Sequence, residues 1–249
     1  MKRSKKRLYT IWGGILLVFC ATVYCFWAWH YTAAYREKLW LHRCNSLEKL
    51  AEQSDRFANV EVDIIIRPDG LLDVTHDADT TFGLSVDPYF AHIGQHHTRL
   101  WLDIKNVNAD NVEKLRQHLD TLCRMYGVKQ EQLIVESRDA TALSHLTAAG
   151  YYTSYYVDFD KPSHLSREEI DRCIRQLQSI AKSGKVRALS FPGWWYDEIH
   201  QQLGVPIDLL TWKHRSTEAE MRLWPGNFAL LRDPQVKVIL IKSKGKYHR

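Results

Sequence analysis

Apolar residues along this chain fall into two regimes. From Leu8 to Tyr31 they run almost unbroken, LYTIWGGILLVFCATVYCFWAWHY, with no Asp, Glu, Lys or Arg. About 20 such residues cross the hydrocarbon core of a bilayer at about 1.5 Å per residue. Beyond residue 38 the pattern changes to short apolar runs separated by amphipathic helical stretches. Strands are predicted at Leu39–His42, Val60–Ile66, Arg99–Ile104, Gln132–Glu136, Tyr152–Val157, Arg187–Phe191, Ile207–Trp212 and Val236–Ile241. A further run, Leu71–Thr75, extends the second past an Arg67-Pro68-Asp69-Gly70 turn. Helices are predicted at Asn111–Tyr126, with Val112, Leu115, Leu119, Leu122 and Cys123 on one face, and at Arg167–Ser183, with Ile170, Ile174, Leu177 and Ile180. Eight strands alternating with helices over about 210 residues predict an α/β fold, a (β/α)8 TIM barrel preceded by one N-terminal transmembrane helix. A doubly wound open sheet is the alternative, but no glycine-rich phosphate loop follows the first strand.

Charge sharpens this division. Lys2, Arg3, Lys5, Lys6 and Arg7 precede the apolar run, and no acidic residue appears before Glu37. With those five set aside, the 34 basic residues leave 29 against 29 acidic ones, so the net charge of +5 sits in one tip and no basic domain for nucleic acid exists. Positive-inside places that tip in the cytoplasm and everything after about residue 32 in the periplasm or cell exterior. Tyr24, Trp27, Trp29 and Tyr31 cluster where the span meets the outer headgroups. A cleaved signal peptide is the rival, but the run exceeds an ordinary h-region and Thr32-Ala33-Ala34 is a poor cleavage site. The expected organisation is a basic tip at 1–7, an anchor at 8–31, a juxtamembrane linker at 32–38 and the barrel at 39–249. A composition of 45% hydrophobic and 25% charged residues excludes collagen-like, low-complexity and disordered chains. Five cysteines without a C-x-x-C pair support neither a disulfide scaffold nor a zinc ribbon.

Chemistry in a TIM barrel belongs at the C-terminal ends of its strands, and three of these ends carry residues a core would reject. The second strand reads Val60-Glu61-Val62-Asp63-Ile64-Ile65-Ile66. Period-two alternation turns Val60, Val62, Ile64 and Ile66 to the helices and Glu61 and Asp63 into the barrel. The third strand repeats this, with Leu100, Leu102 and Ile104 outward and Trp101, Asp103 and Lys105 inward. The first ends in His42-Arg43, and the extension of the second ends in His76-Asp77. Three carboxylates converging in a low-dielectric barrel repel one another, and Lys105 alone leaves them at minus two. One divalent cation with oxygen ligands, Mg2+ or Ca2+, is the economical compensation.

This constellation resembles the glycerophosphodiester phosphodiesterase superfamily, the phospholipase-C-like barrels. VEVDIIIRPDGLLDVTHD, carrying Glu61 to Asp77, is similar to that family's E-x-D strand, K/R-x-D-G turn and H-D motif. His42-Arg43 resembles its opening H-R, Leu100–Lys105 its E-x-K strand, LIVESRDATALSHLTAAGY its fourth-strand segment, and Ile207–Lys213 stands where its W-T-x-N strand does. The likeness covers roughly residues 39 to 242 and implies a metal-dependent phosphodiesterase. By motif match, His42 and His76 become the general acid/base pair, Glu61, Asp63 and Asp103 the metal ligands, and Arg43 and Lys105 phosphate contacts. Departures stand out: Cys44 replaces the glycine after H-R, the later E-N element is missing, with Asn45 now at H-x-x-N, and Asp103 replaces a glutamate. H-x-x-N, His42 to Asn45, together with D-x-K looks more like the sphingomyelinase D-type branch, which adds Asn45 to the phosphate contacts.

Other marks are weaker. Phe191-Pro192-Gly193-Trp194-Trp195-Tyr196 either starts a helix with packed aromatics or gives the pocket an aromatic wall, through Trp194 and Trp195, for a lipid, a choline-like cation or a sugar. Trp212 reads first as core and, with Lys213, as a weaker part of the substrate pocket, Lys213 as a contact for a second anionic group, and Glu136 as an ion-paired end of the fourth strand. His92 and His96 have zinc spacing, but Gly94 is expected to break the helix between them. Lys213-His214-Arg215 and the tail from Lys242 to Arg249 read as solvated charge runs, the tail within reach of anionic lipid. The functional expectation is a membrane-anchored phosphodiesterase acting on a glycerophosphodiester or phospholipid headgroup, through an adjacent hydroxyl and a cyclic phosphate. A catalytically inactive barrel binding a phosphorylated ligand or partner at the membrane is the alternative, although a pure binder has no need of two imidazoles. A metal-dependent glycosidase is weakened because Glu61 and Asp63 share one strand.

Overall fold

The computed structural model describes residues 2–213 and 216–243. Helix α1, Lys2–Tyr31, leads through a short 3₁₀ segment, Ala33–Lys38, into strand β1, Leu39–Leu41. The chain then alternates: α2 (Leu47–Gln53), β2 (Val60–Ile66), β3 (Leu72–Val74), α3 (Asp87–His96), β4 (Leu100–Ile104), α4 (Val112–Tyr126), β5 (Leu133–Ser137), α5 (Ala140–Ala148) and β6 (Tyr152–Tyr156). It continues through α6 (Arg167–Lys182), β7 (Ala188–Pro192), α7 (Tyr196–Gln202), β8 (Asp208–Trp212), α8 (Glu218–Leu223), α9 (Phe228–Arg232) and β9 (Val236–Ile241). His214, Arg215 and the tail from 244 to 249 lie outside the described residues.

Eight parallel strands close on themselves. β1 pairs with β9 at Leu39↔Ile239 and Leu41↔Ile241, and with β2 at Leu41↔Val60. The ninth strand, β3, folds back antiparallel on β2, Ile64 opposite Val74 and Ile66 opposite Leu72, so the Leu71–Thr75 run makes a hairpin with β2. Its turn places Gly70 at φ +89°, a conformation that favours glycine. The architecture is the (β/α)8 TIM barrel, with one N-terminal apolar helix, Tyr9–Tyr31, long enough to be a candidate membrane span.

Alternation decides which side chain faces which core. Val60, Val62 and Ile64 pack with Leu100, Leu102, Leu115, Leu119 and Ile174 in the layer between strands and helices. Trp40, Trp101, Ile134, Ala188, Leu210, Val238 and Leu240 fill the barrel itself. With that interior packed by large apolar groups, the polar residues farther along each strand collect at its C-terminal end. The helices start on local signals: Ser166 and Glu169 cap α6 reciprocally, and Asp139 accepts the Thr141 and Ala142 amides at the start of α5. Gly94 does not break α3, contrary to expectation. It lies inside the helix, where an added Cβ would strike the Tyr126 carbonyl oxygen of α4 at 2.2 Å, so it serves a close helix–helix approach. The His92 and His96 rings meet there at 4.5 Å, tilted by 42°, with no third metal-ligating side chain grouped beside them among the described residues.

Candidate active site

The site begins where β1 runs out. Trp40 points into the barrel, so His42, two residues on, points the same way. Arg43 turns the chain with φ +51°, a left-handed conformation uncommon for a side-chain-bearing residue. Two contacts hold it. The Arg43 amide donates to Glu61 Oε2 at 2.6 Å, and Lys49 Nζ, buried on α2, donates to the carbonyls of His42 and Arg43 at 2.9 and 2.8 Å. Cys44 follows without a positive φ, its thiol buried in the outer core and pushed up to about 12 by burial.

Glu61, Asp63 and Asp103 meet beside this turn. One carboxylate oxygen from each lies within 4.8 Å of the other two, and all three residues are buried. Lys105, two residues beyond Asp103 on the same inward face, pairs with Asp63 Oδ1 at 2.7 Å and with Asp103 Oδ2. Burial alone would raise Asp63, but Lys105, Asn45 and Arg43 outweigh it and hold the carboxyl below its ordinary value. Glu61 lacks such a partner, and burial together with the charges of Asp63 and Asp103 drives it well above the ordinary carboxylate range. Its Oε1 is buried with no hydrogen-bond partner among the described residues. Asp103 is also raised, by burial first and Asp63 second, against the pull of Lys105. The two carboxylates in turn carry Lys105 above its usual value despite its burial.

An ammonium already committed to two carboxylates, beside a third with an orphaned oxygen, leaves negative charge that the described residues do not fully compensate. Three oxygen donors converging from adjacent parallel strands fit a hard divalent cation. The residues that could hold it are Glu61, Asp63 and Asp103.

Both histidines border the same cavity, of about 140 Å³, whose lining also includes Arg43, Asp63, Asp103, Lys105, Tyr156, Trp194 and Trp212. His42 Nε2 lies 3.8 Å from Glu61 Oε2, and its Nδ1 has no hydrogen-bond partner among the described residues. Burial, reinforced by Arg43, Lys242 and Lys49 against the pull of Asp63, pushes its imidazole down to about 3. His76 sits on the loop after β3, its Nδ1 2.6 Å from Asp77 Oδ1. Arg67 shapes that loop, pairing with buried Asp73 at 2.6 Å while donating to the Ala78 and Thr80 carbonyls.

Some residues singled out from sequence take other positions. Asn45 grips Asp63 from both sides: its Nδ2 donates to Asp63 Oδ2 at 2.8 Å, and its Oδ1 accepts the Asp63 amide at 3.0 Å. Trp195 is fully buried, donating to the Asp160 carbonyl at 3.1 Å and packing edge-on against Phe159. Lys213 turns away from the cavity to Asn227 Oδ1 at 2.6 Å. Trp212 is mostly buried, yet it forms cavity wall by stacking on Tyr156 at 5.0 Å. Glu136 does line the cavity, but no ion pair involves it among the described residues. Ser190 donates to its Oε2, and burial with the Asp103 charge raises it well above the ordinary range. The sequence reading missed Lys49, Ser190 and Tyr156; a lysine amid the apolar positions of α2 was the available signal for the first.

No family model and no curated protein matches the chain. Solved structures do. A glycerophosphodiester phosphodiesterase from Parabacteroides distasonis is 14% identical, with a TM-score of 0.55 over 82% of this chain and 91% of its own. A candidate enzyme of the same name from Galdieria sulphuraria is 15% identical, with a TM-score of 0.54 over 82% and 92%. Another from Silicibacter pomeroyi is 16% identical, with a TM-score of 0.54 over 82% and 88%. At these identities the likeness is one of fold: the barrel is the one these phosphodiesterase structures share.

Proposed function

We propose that the chain is a membrane-anchored, metal-dependent phosphodiesterase of the glycerophosphodiester phosphodiesterase superfamily, a phosphoric diester hydrolase acting on a glycerophosphodiester or a phospholipid headgroup. One observation carries this reading: three buried carboxylates on β2 and β4 have oxygens within 4.8 Å of one another, and two of them, Asp63 and Asp103, line a cavity that two histidines also border. The phosphodiesterase names of the structural neighbours support it.

In this reading Glu61, Asp63 and Asp103 hold one Mg2+ or Ca2+, which when bound supplies positive charge to the non-bridging phosphate oxygens. Arg43 and Lys105 add theirs from the chain, and Asn45 keeps the Asp63 carboxylate aimed. One imidazole of the His42/His76 pair takes the proton of a hydroxyl on the substrate next to the phosphate. The freed oxygen attacks phosphorus, the bond to the leaving oxygen breaks, and the other imidazole protonates that oxygen. Each histidine contributes about 10²–10⁴-fold. Intramolecular attack supplies about 7–11 kcal/mol more and gives a cyclic phosphate, whose ring water then opens, with the imidazoles exchanging roles, to complete the hydrolysis. Trp194, Trp212 and Tyr156 give the remainder of the substrate an aromatic wall.

The test incubates the full chain in detergent with glycerophosphodiesters and lysophospholipids, with Mg2+, Ca2+ or EDTA, beside His42→Ala, and follows products by phosphorus NMR. Turnover that needs the cation and vanishes in the variant is the expected result. A folded, cation-binding protein with no turnover on the panel would overturn the proposed substrate class. Solvent-oxygen incorporation without any cyclic species would overturn the intramolecular attack.

A further inference from the structure

The span and the barrel do not meet at a flexible joint. Tyr9 to Val23 is exposed throughout, but from Tyr24 onward α1 lies on α8 and α9. The Tyr24 hydroxyl donates to the Leu223 carbonyl at 2.7 Å, and the Trp27 and Tyr31 rings meet Phe228 at 6.0 and 5.7 Å. Arg222, buried, donates to the Trp29 carbonyl at 2.6 Å and to Thr32 Oγ1 at 3.1 Å, stacks on the Trp29 ring at 3.5 Å, and pairs with Glu218 at 3.0 Å. The end of α1 is thereby capped by the barrel.

Lengths then set the depth of the barrel. The free stretch Tyr9–Val23 spans only about 22 Å, against the roughly 30 Å of a hydrocarbon core. On the other side of it the sequence carries Lys5, Lys6 and Arg7, a charge run that belongs outside the hydrocarbon core. The missing 8 Å or so must come from the turns of α1 that the barrel already covers, so whatever lies beside those turns enters the bilayer with them. Counting about 20 residues from Leu8 brings the outer hydrocarbon edge to Trp27. The Leu223 carbonyl accepts the hydroxyl of Tyr24, whose Cα stands about 4.5 Å inside that edge. Its neighbour Trp224, 67% exposed, is the most exposed tryptophan of the chain. Indole, apolar with one N–H, favours this boundary between acyl chains and headgroups.

We propose that the Leu223–Trp224 corner, between α8 and α9, is a bilayer-docking element that inserts into the leaflet from which α1 emerges. It rests on the reading of α1 as a retained membrane span. The corner lies next to the pocket: Trp212 lines the cavity with the histidines, and the following residue, Lys213, lines the hollow under Trp224. The docking contact therefore fixes the barrel at the membrane surface on the β8 side of its catalytic end.

The full chain is reconstituted into phosphatidylcholine/phosphatidylglycerol vesicles with or without lipids brominated on the upper acyl carbons, and tryptophan emission is compared with that of Trp224→Phe and Trp12→Phe. Subtracting each variant from the parent isolates one indole. The expected Trp224 component is blue-shifted, quenched by bromolipid and spared by aqueous iodide, as is that of Trp12. A red-shifted Trp224 component quenched by iodide, beside a Trp12 component quenched by bromolipid, would overturn the docking element and leave the span intact. A Trp12 component open to iodide would overturn the span and the docking together.

Discussion

Glu61 offers a sharp test because two readings of it predict opposite signs. If it is a structural acceptor for the Arg43 amide, replacing it weakens the fold. If it is one of three carboxylates awaiting a cation, Glu61→Gln should stabilise the protein when no cation is present. The side-chain carbonyl of glutamine can still accept the Arg43 amide bonded at 2.6 Å. What disappears is charge. With carboxylate oxygens within 4.8 Å, each Glu61 repulsion, one from Asp63 and one from Asp103, amounts to about 3.5 kcal/mol at an effective dielectric of about 20. The attraction of Lys105 offsets about one such pair, and an amide N–H₂ placed where Glu61 Oε1 has no partner returns about 1–3 kcal/mol of loss. A net gain of about 1–2 kcal/mol remains, or about 2–8 °C in Tm for a chain of this size. Thermal unfolding in EDTA reads it directly, and added Mg2+ or Ca2+ should raise the Tm of the parent protein but not of the variant. A variant less stable than the parent in EDTA, with the cation response intact, would refute the reasoning.

Three further outcomes follow from the same geometry. His42→Ala and His76→Ala should each lower turnover by about 10²–10⁴-fold while leaving cation-induced stabilisation in place, checked by phosphorus NMR and thermal shift together. Asn45→Ala frees the Asp63 carboxylate to rotate and should weaken cation affinity by about 10–100-fold in a calorimetric titration, an effect that Asn45→Asp does not restore because the amide donor is gone. Glu61 and Asp103 have folded values raised above their unfolded ones, so without cation their contribution to stability is present at acid pH and lost as pH rises through the raised values. Protons and cation compete for the same oxygens, so the Tm increment from saturating cation should be small in acid and grow toward neutral pH; a flat increment would place the cation elsewhere.

The parts of this site that were legible in the sequence are those written into strand alternation. Glu61, Asp63, Asp103 and Lys105 stand out because an ionisable group at every second position of an apolar strand must face the barrel. His42 and His76 stand out because they close strands. The supporting residues carry no such mark. Asn45 precedes a helix by two positions and reads as turn chemistry, while its role depends on Asp63, 18 residues away. Glu136 looks like a charge in search of a cation, but strand order and stagger put Ser190 of β7 within reach of it instead. Gly94 reads as a helix breaker because the packing of α4 against it is invisible in a local window. Arg222 and Glu218, whose contacts fix α1 on the barrel, look like any surface pair four residues apart on a helix.

Two of the positions where the sequence departs from the pattern it resembles, Cys44 and Asp103, are accommodated by the backbone. A glycine after His-Arg is required where that position itself takes a positive φ. Here Arg43 takes it, at +51°, restrained by the Glu61 carboxylate and the Lys49 ammonium, so Cys44 is free to place its side chain in the outer core. Its carbonyl accepts the Tyr89 hydroxyl at 2.7 Å and its amide donates to the Glu61 carbonyl at 2.8 Å, which ties the turn to β2. Asp103 is one methylene shorter than a glutamate, but it is registered directly opposite Asp63. Strands in that arrangement lie about 4.8 Å apart, close enough for short carboxylates on the same face to converge, as the Glu61–Asp63–Asp103 grouping does. Lys105 bridges both aspartates from the same face of β4, so the shorter side chain tightens the donor set around one ammonium. The convergence of the three carboxylates is thus set by register and by a left-handed arginine.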